Sequence, residues 1–294
     1  MDWDSFDTLI RTHFEPLQYA VFFGALVLLG GLEAFAPLGR DDIERRRRWS
    51  ANGGLTVLNI LILGALPVSV VVVADYAMAR GWGLLNQPFV PPLAALALGF
   101  VLRSLVGYAI HVAMHKVPLL WRVHRVHHTD TQMDVSTTVR FHPLEFMISM
   151  PILLAMAPAL GISPLALMVY ELFDAAMAVF THANLRLSER LDHALRLVLV
   201  TPAMHRIHHS AWQPETDSNY GATFSWWDRL FSTYRTRPPH ELAVLRLGLE
   251  ECNSRRAASL RWLLWLPFVL AAARDDGATG PTSTPQSGEA ERPA

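Results

Sequence analysis

Eight of the 13 histidines in this 294-residue chain fall into three clusters: His111 and His115, then His124, His127 and His128, then His205, His208 and His209. Residues four apart on a helix project from one face, so H-V-A-M-H at 111–115 can aim two imidazoles at a common point. The two H-x-x-H-H units, at 124–128 and 205–209, can do the same. Neutral imidazole suits zinc, copper, iron or nickel, and a structural zinc is satisfied by four ligands. Eight clustered histidines exceed that need and point to two metals roughly 3.5 to 4 Å apart, each with an open position. His142 in F-H-P-L-E and His182 in T-H-A-N-L are further candidates for the same shell. His13, His193 and His240 lie away from the motifs and read as solvated surface groups.

The elements that must hold these residues are long apolar stretches. With 51% hydrophobic residues and a mean hydropathy of +0.23, the chain is too apolar for an ordinary soluble enzyme. The segments 17–38 and 53–74 each approach the roughly 20 apolar residues that a bilayer crossing needs. Between them, 40–48 is rich in arginine, which predicts a cytoplasmic loop and an outward N-terminus. The first residues carry Asp2, Asp4 and Asp7 and no basic region, so the first apolar segment is expected to stay as a span and not to be cleaved as a signal. A turn-rich outer loop at 81–92 precedes a third apolar segment, 93–110, that returns inward with His111 and His115.

The stretch 147–180 is broken by P-A-L-G-I-S-P at 158–164, which predicts a helical hairpin that crosses and returns. Span counting then puts His205 on the same side as His111, by an argument independent of the histidine pattern. At 262–273 the apolar run is short, so an interfacial or re-entrant helix is expected. The expected fold class is therefore all-α and integral to the membrane, with about four transmembrane helices (two spans plus a third and a helical hairpin) under a cytosolic histidine-rich helical cap. Residues 1–274 read as one membrane-embedded domain with a catalytic core at about 93–235, and 275–294 as a disordered tail. A formal net charge of −1 gives no hint of nucleic-acid binding, and a single cysteine, Cys252, excludes an internal disulfide or a thiolate cluster.

A metal site at the lipid boundary would meet long apolar substrates with few groups open to hydrolysis. Oxidising a C–H bond with dioxygen is the chemistry such substrates invite, and it requires a redox metal, which favours iron over zinc.

At this point the chain resembles the fatty acid hydroxylase and sterol desaturase superfamily of integral-membrane, non-haem di-iron enzymes. The resemblance runs from about Leu93 to Tyr234, and its motifs follow the family's order. They are H-V-A-M-H at 111–115, W-R-V-H-R-V-H-H at 121–128, F-H-P-L-E at 141–145, T-H-A-N at 181–184, T-P-A-M-H-R-I-H-H-S at 201–210, N-Y-G at 219–221 and W-D-R-L-F-S-T-Y at 227–234. The resemblance implies a four-helix membrane core and O2-dependent hydroxylation or desaturation of a lipid at two irons. It implies His111, His115, His124, His127, His128, His205, His208 and His209 as ligands, joined by His142 and His182. Asn184, Asp217, Asn219 and Asp228 are candidates for orienting the ligands, with a helix cap for Asp228 and a turn for Asn219 as the alternatives.

Two features depart from the family pattern. The first box has Val112 after its first histidine where arginine is common, and Arg103–Ser104 where an acidic residue is common. Ser232 stands where glycine is frequent. Arg103 inside an apolar helix requires a partner that the sequence does not identify.

The substrate implied is a membrane lipid, sterol, fatty-acyl or related, with O2 as co-substrate. No haem domain, G-x-G-x-x-G site or four-cysteine pattern is present, so a separate electron donor (a ferredoxin, a cytochrome b5-like protein or a reductase) is expected. The compact, Ala- and Arg-rich chain suits a bacterial inner membrane with the histidine boxes on its cytoplasmic side. The alternatives are a membrane zinc hydrolase, which predicts an H-E-x-x-H box that is absent, and a non-catalytic metal-binding scaffold.

Overall fold

Helix α1 (Trp3–Phe35) opens the chain, followed by α2 (Arg45–Gly64), α3 (Val70–Ala79), α4 (Pro92–Lys116), α5 (Pro118–His128), α6 (Pro143–Leu160) and α7 (Pro164–His182). The computed structural model describes residues 3–39, 45–66, 68–250, 252 and 254–269, and no strand occurs among them beyond three isolated bridges. Among the described residues four helices are long and apolar enough to cross a membrane: Ser5–Phe35 within α1, then α4, α6 and α7. The all-α, four-helix expectation holds. The expected tail, 275–294, lies outside the described residues.

One expected span is corrected. The stretch 53–74 is not a single helix, because α2 ends at Gly64 and α3 begins at Val70. The interval contains Pro67, whose ring removes a backbone donor and clashes with the preceding turn of a helix. The arginine-rich loop is corrected in part as well. Arg45 to Arg48 form the first turn of α2, and Arg48 is buried, with 2.7 Å to Asp130 Oδ1 and 2.6 Å to Asp134 Oδ2. Burial alone would raise the Asp130 carboxyl, but Arg48 and Arg140 hold it below its usual range. Removing one partner of such a buried pair costs about 3–5 kcal/mol.

The predicted hairpin is present. Gly161, with φ of 73°, ends α6, and Ser163 caps α7 by accepting from the Ala166 amide, with Pro164 in the first turn. A Cβ on Gly83 would collide with the Gly161 backbone, so the loop before α4 packs directly on this turn. Helix α1 packs on α7 through Phe22, Leu26 and Leu29 against Val179 and Ala183, while α3 fills the angle between α6 and α7 with Ala74.

Short helices build the cap on the histidine-bearing ends of α4 and α7: α8 (Glu189–Leu195), α9 (Pro202–His208), α10 (Gln213–Thr216), α11 (Trp226–Leu230), α12 (Pro239–Leu242), α13 (Ser254–Ala257) and α14 (Leu260–Trp265). The run expected to be an interfacial or re-entrant helix packs one face on the protein. Leu263 and Leu266 bury against Ala51 and Leu55 of α2 and Val126 of α5, with Trp265 and Phe268 exposed. Residues 270–273 of that run lie outside the described residues.

Candidate metal centre

Nine histidines converge in two groups. His111, His115, His124, His128 and His208 form one, and His127, His182, His205 and His209 the other. Within each group the potential ligand atoms all lie within 4.8 Å of one another. Helix geometry explains the partition. The pairs at i and i+4, 111/115, 124/128 and 205/209, stay together, while the neighbour of each H-H dyad points about 100° away. Each dyad therefore supplies one imidazole to each group.

The donor atoms face inward. His182 Nε2 lies 3.1 Å from His127 Nε2 and 3.0 Å from His205 Nε2, and His205 Nε2 lies 3.2 Å from His209 Nε2. In the five-histidine group His111 Nε2 and His124 Nε2 are 3.1 Å apart. Nitrogens bound to one ion at about 2.0–2.1 Å sit roughly 3 to 3.4 Å from their neighbours, so the spacing fits a shared cation in each group. His128 Nδ1 and Nε2 and His208 Nε2 are buried with no hydrogen-bond partner among the described residues. Buried polar atoms rarely stay unsatisfied, and a metal in the five-histidine group would satisfy one nitrogen of each ring.

Burial and then the neighbouring imidazoles push His127, His128, His205 and His209 well below the usual histidine value. Burial takes His208 down to about 3. All five are neutral near pH 7, the state in which imidazole ligates.

The outer nitrogens of the five-histidine group are held from several sides. One loop supplies three of the contacts: His111 Nδ1 donates to the Tyr220 carbonyl at 2.6 Å, His208 Nδ1 donates to the Ser218 carbonyl at 2.7 Å, and His115 Nδ1 lies 3.5 Å from Asp217 Oδ1. His124 Nδ1 donates to Glu145 Oε1 at 2.8 Å. A ring that donates from Nδ1 keeps its Nε2 lone pair for the metal.

Asp228 shapes that loop. It accepts from the Tyr220 amide at 2.7 Å, the Gly221 amide at 2.9 Å and Thr233 Oγ1 at 2.7 Å. Asn219, at φ 51°, donates through Nδ2 to the Met204 carbonyl at 3.0 Å and the Arg235 carbonyl at 3.1 Å. Among the described residues the side-chain hydrogen bonds of Asn184 go to Gly39, and its amide donates to Glu33. The side chain accepts from the Gly39 amide at 2.7 Å and ties the chain leaving α1 to the chain leaving α7.

His142 lies outside both groups. Its Nδ1 accepts from the Leu144 amide at 3.1 Å and caps α6, and its Nε2 reaches the Leu264 carbonyl at 3.3 Å. Its place as a ligand is therefore not supported by position, whereas His182 sits inside the four-histidine group. His13, His193 and His240 are exposed. Glu145 was not singled out from sequence, although a carboxylate in the first turn of a helix that starts beside a histidine box is a signal that could have found it. The partner of Arg103 is Glu171 on α7, at 2.7 Å.

Comparison with known proteins points the same way. Residues 96–233 match the Fatty acid hydroxylase family. The chain is 31% identical over 186 residues to the ornithine lipid hydroxylase OlsE of Rhizobium tropici, covering 59% of this chain and 51% of that protein. It is 29% identical over 241 residues to alkylglycerol monooxygenase of Homo sapiens, covering 78% and 50%. It is 31% identical over 144 residues to a cholesterol 25-hydroxylase-like protein of Danio rerio, covering 48% and 54%. The chain spans about half the length of these relatives. No solved structure matches it.

Proposed function

We propose, from the match of residues 96–233 to the Fatty acid hydroxylase family, that the chain is an O2-dependent di-iron oxidoreductase that hydroxylates a C–H bond of a membrane lipid. The observation that carries the proposal is the pair of buried histidine groups at the ends of two apolar helices, α4 and α7. His111, His115, His124, His128 and His208 would hold one iron, and His127, His182, His205 and His209 the other. When bound, two irons supply the redox chemistry that reduces O2 and oxidises a C–H bond, which zinc does not offer.

The chain's own residues do the rest. Glu145, Asp217 and the Ser218 and Tyr220 carbonyls fix the imidazole orientation. Phe141, stacked on His127 at 4.4 Å between ring centroids, covers the four-histidine group with an apolar face. The electrons would come from a separate donor protein, a ferredoxin, a cytochrome b5-like protein or a reductase. Hydroxylation is preferred to desaturation because the similar proteins carry hydroxylase and monooxygenase names. The compact, Ala- and Arg-rich chain suits a bacterial inner membrane, and the arginines at 45–47 favour the cytoplasmic side for the histidines.

The test is elemental analysis of the detergent-purified protein, followed by a lipidomic comparison of membranes with and without it. Two irons per chain and a lipid gaining one oxygen atom are expected. One tightly held zinc, or iron without any oxidised lipid, overturns the proposal in favour of a hydrolase or a metal-binding scaffold.

A further inference from the structure

Two stripes of side chains lead away from the histidines. On α4, Arg103, Gly107, His111 and His115 recur every four residues, and on α7, Glu171, Asp174, Ala178 and His182 recur at three and four. Each stripe begins in charge, passes over a small residue and ends at a histidine of the metal centre. At the charged end Arg103 donates through Nε and Nη2 to Glu171 Oε1, at 3.0 and 2.7 Å, and lies 4.9 Å over the Tyr170 ring. Tyr170 in turn donates its hydroxyl to Asp174 Oδ1 at 3.3 Å.

A tether between α4 and α7 needs only the Arg103–Glu171 pair. Asp174 adds a second carboxylate against one guanidinium, so this cluster holds one more carboxylate than guanidinium on helices that otherwise read as membrane spans. Such groups are costly in a bilayer unless they serve a ligand or a pathway. A second observation comes from exposure. Arg103, Gly107 and His111 are all partly exposed, as are Glu171, Asp174 and Ala178, and His111 is the one histidine of the nine that is not buried. A Cβ at Gly107 would sit 3.4 Å from Arg103 Nη1, so any larger residue would narrow the path between the cluster and His111. Along α4 that path is eight residues, about 12 Å at 1.5 Å per residue.

Building on the lipid-oxidising function proposed above, we propose that this path is the substrate groove, with an ammonium group of the lipid bound at Glu171 and Asp174. The hydrocarbon then lies over Gly107 and Ala178 and reaches His111. The enzyme thereby selects amine-bearing lipids and oxidises a carbon about 12 Å from the ammonium.

Native mass spectrometry of the detergent-purified protein tests this with two probes that share one C18 chain, octadecylamine and 1-methoxyoctadecane. Losing a charge-assisted hydrogen bond costs about 10–100-fold in affinity, so octadecylamine should be retained at least about tenfold better than the ether. Glu171→Gln and Asp174→Asn should each erase most of that preference with metal content unchanged, while Asp174→Glu should keep it. Ala178→Phe should reduce retention of both probes. Equal retention of the two probes by the unsubstituted chain, or a preference that survives in both Glu171→Gln and Asp174→Asn, overturns the proposal. The two ideas fail separately. Amine retention with no oxidised lipid in any membrane sinks the enzyme function and leaves the groove, whereas lipid oxidation without amine preference sinks the groove alone.

Discussion

The two histidine groups differ in how firmly the protein holds them. In the five-histidine group three rings have an outer-nitrogen hydrogen bond, His111 to Tyr220, His208 to Ser218 and His124 to Glu145, and His115 Nδ1 lies 3.5 Å from Asp217 Oδ1. In the four-histidine group only His182 has one, donating to the Ala178 carbonyl at 2.7 Å. The Nδ1 atoms of His127, His205 and His209 are buried with no partner among the described residues. A ligand whose far side is hydrogen-bonded is already oriented before the metal arrives, and losing that support typically costs 10–100-fold in metal affinity. The comparison teaches that the centre is built asymmetrically, one half pre-organised by the loop around 217–221 and the other organised by packing alone.

The largest effect expected is from deleting ligands, and adjacent residues discriminate the halves. His208→Ala strikes the five-histidine group and His209→Ala the four-histidine group. Either should abolish lipid oxidation. In His209→Ala the remaining iron should resist a chelator, and in His208→Ala the remaining iron should be stripped readily. Indistinguishable chelator resistance in the two variants would break the asymmetry.

Next in size come the orienting carboxylates. Glu145→Gln and Asp217→Asn keep shape but remove charge, and each should weaken one iron by about 10–100-fold while leaving the second untouched. Competition with a graded series of chelators reads this out. A loss shared equally between the two irons would show that the groups act as one unit.

Acidification gives a smaller, graded effect. The buried histidines of both groups that lie outside the spans titrate below the usual 6.5, His208 at about 3. A depressed value means the folded, metal-free chain resists protons that the unfolded chain accepts. Stability is thus intact above about pH 6.5 and falls as the pH drops toward 3. With metal bound, protons compete for the same nitrogens, so iron should leave in two steps between pH 7 and 4, the four-histidine group first. Metal retained on the protein at successive pH values checks this, and a single release step would contradict it.

The partition into two groups was legible in the sequence in principle, and the asymmetry between them was not. The i, i+4 spacing that marks the boxes also sorts them, because 124 pairs with 128 and 205 with 209 on one helix face. What spacing does not carry is the long-range partner. Nothing local says that Glu145 reaches His124 across 21 residues, that Arg103 finds Glu171 across 68, or that Arg48 buries itself against Asp130 across 82. His142 misled for the opposite reason, since an F-H-P-L-E motif reads equally as a ligand and as the cap that α6 uses it for. The span at 53–74 misled because hydropathy averages over Pro67, whereas a helix is broken by one residue.

The smallest expected effect isolates the scaffold of the pre-organised half from its ligands. Ser232 has φ of 58°, a left-handed conformation that costs a side chain about 1–2 kcal/mol and glycine almost nothing. It precedes Thr233, whose hydroxyl donates to Asp228, which in turn fixes the Tyr220 and Gly221 amides beside His111. Ser232→Gly should therefore raise stability by about 1 kcal/mol, less any gain in unfolded-chain entropy, with no change in iron content or in the order of release. Thermal unfolding in detergent with parallel metal analysis measures both. If the variant instead loses iron from the five-histidine group, the strained backbone at 232 is itself part of what orients the ligand loop. The pre-organisation would then be maintained by conformational strain as well as by hydrogen bonds.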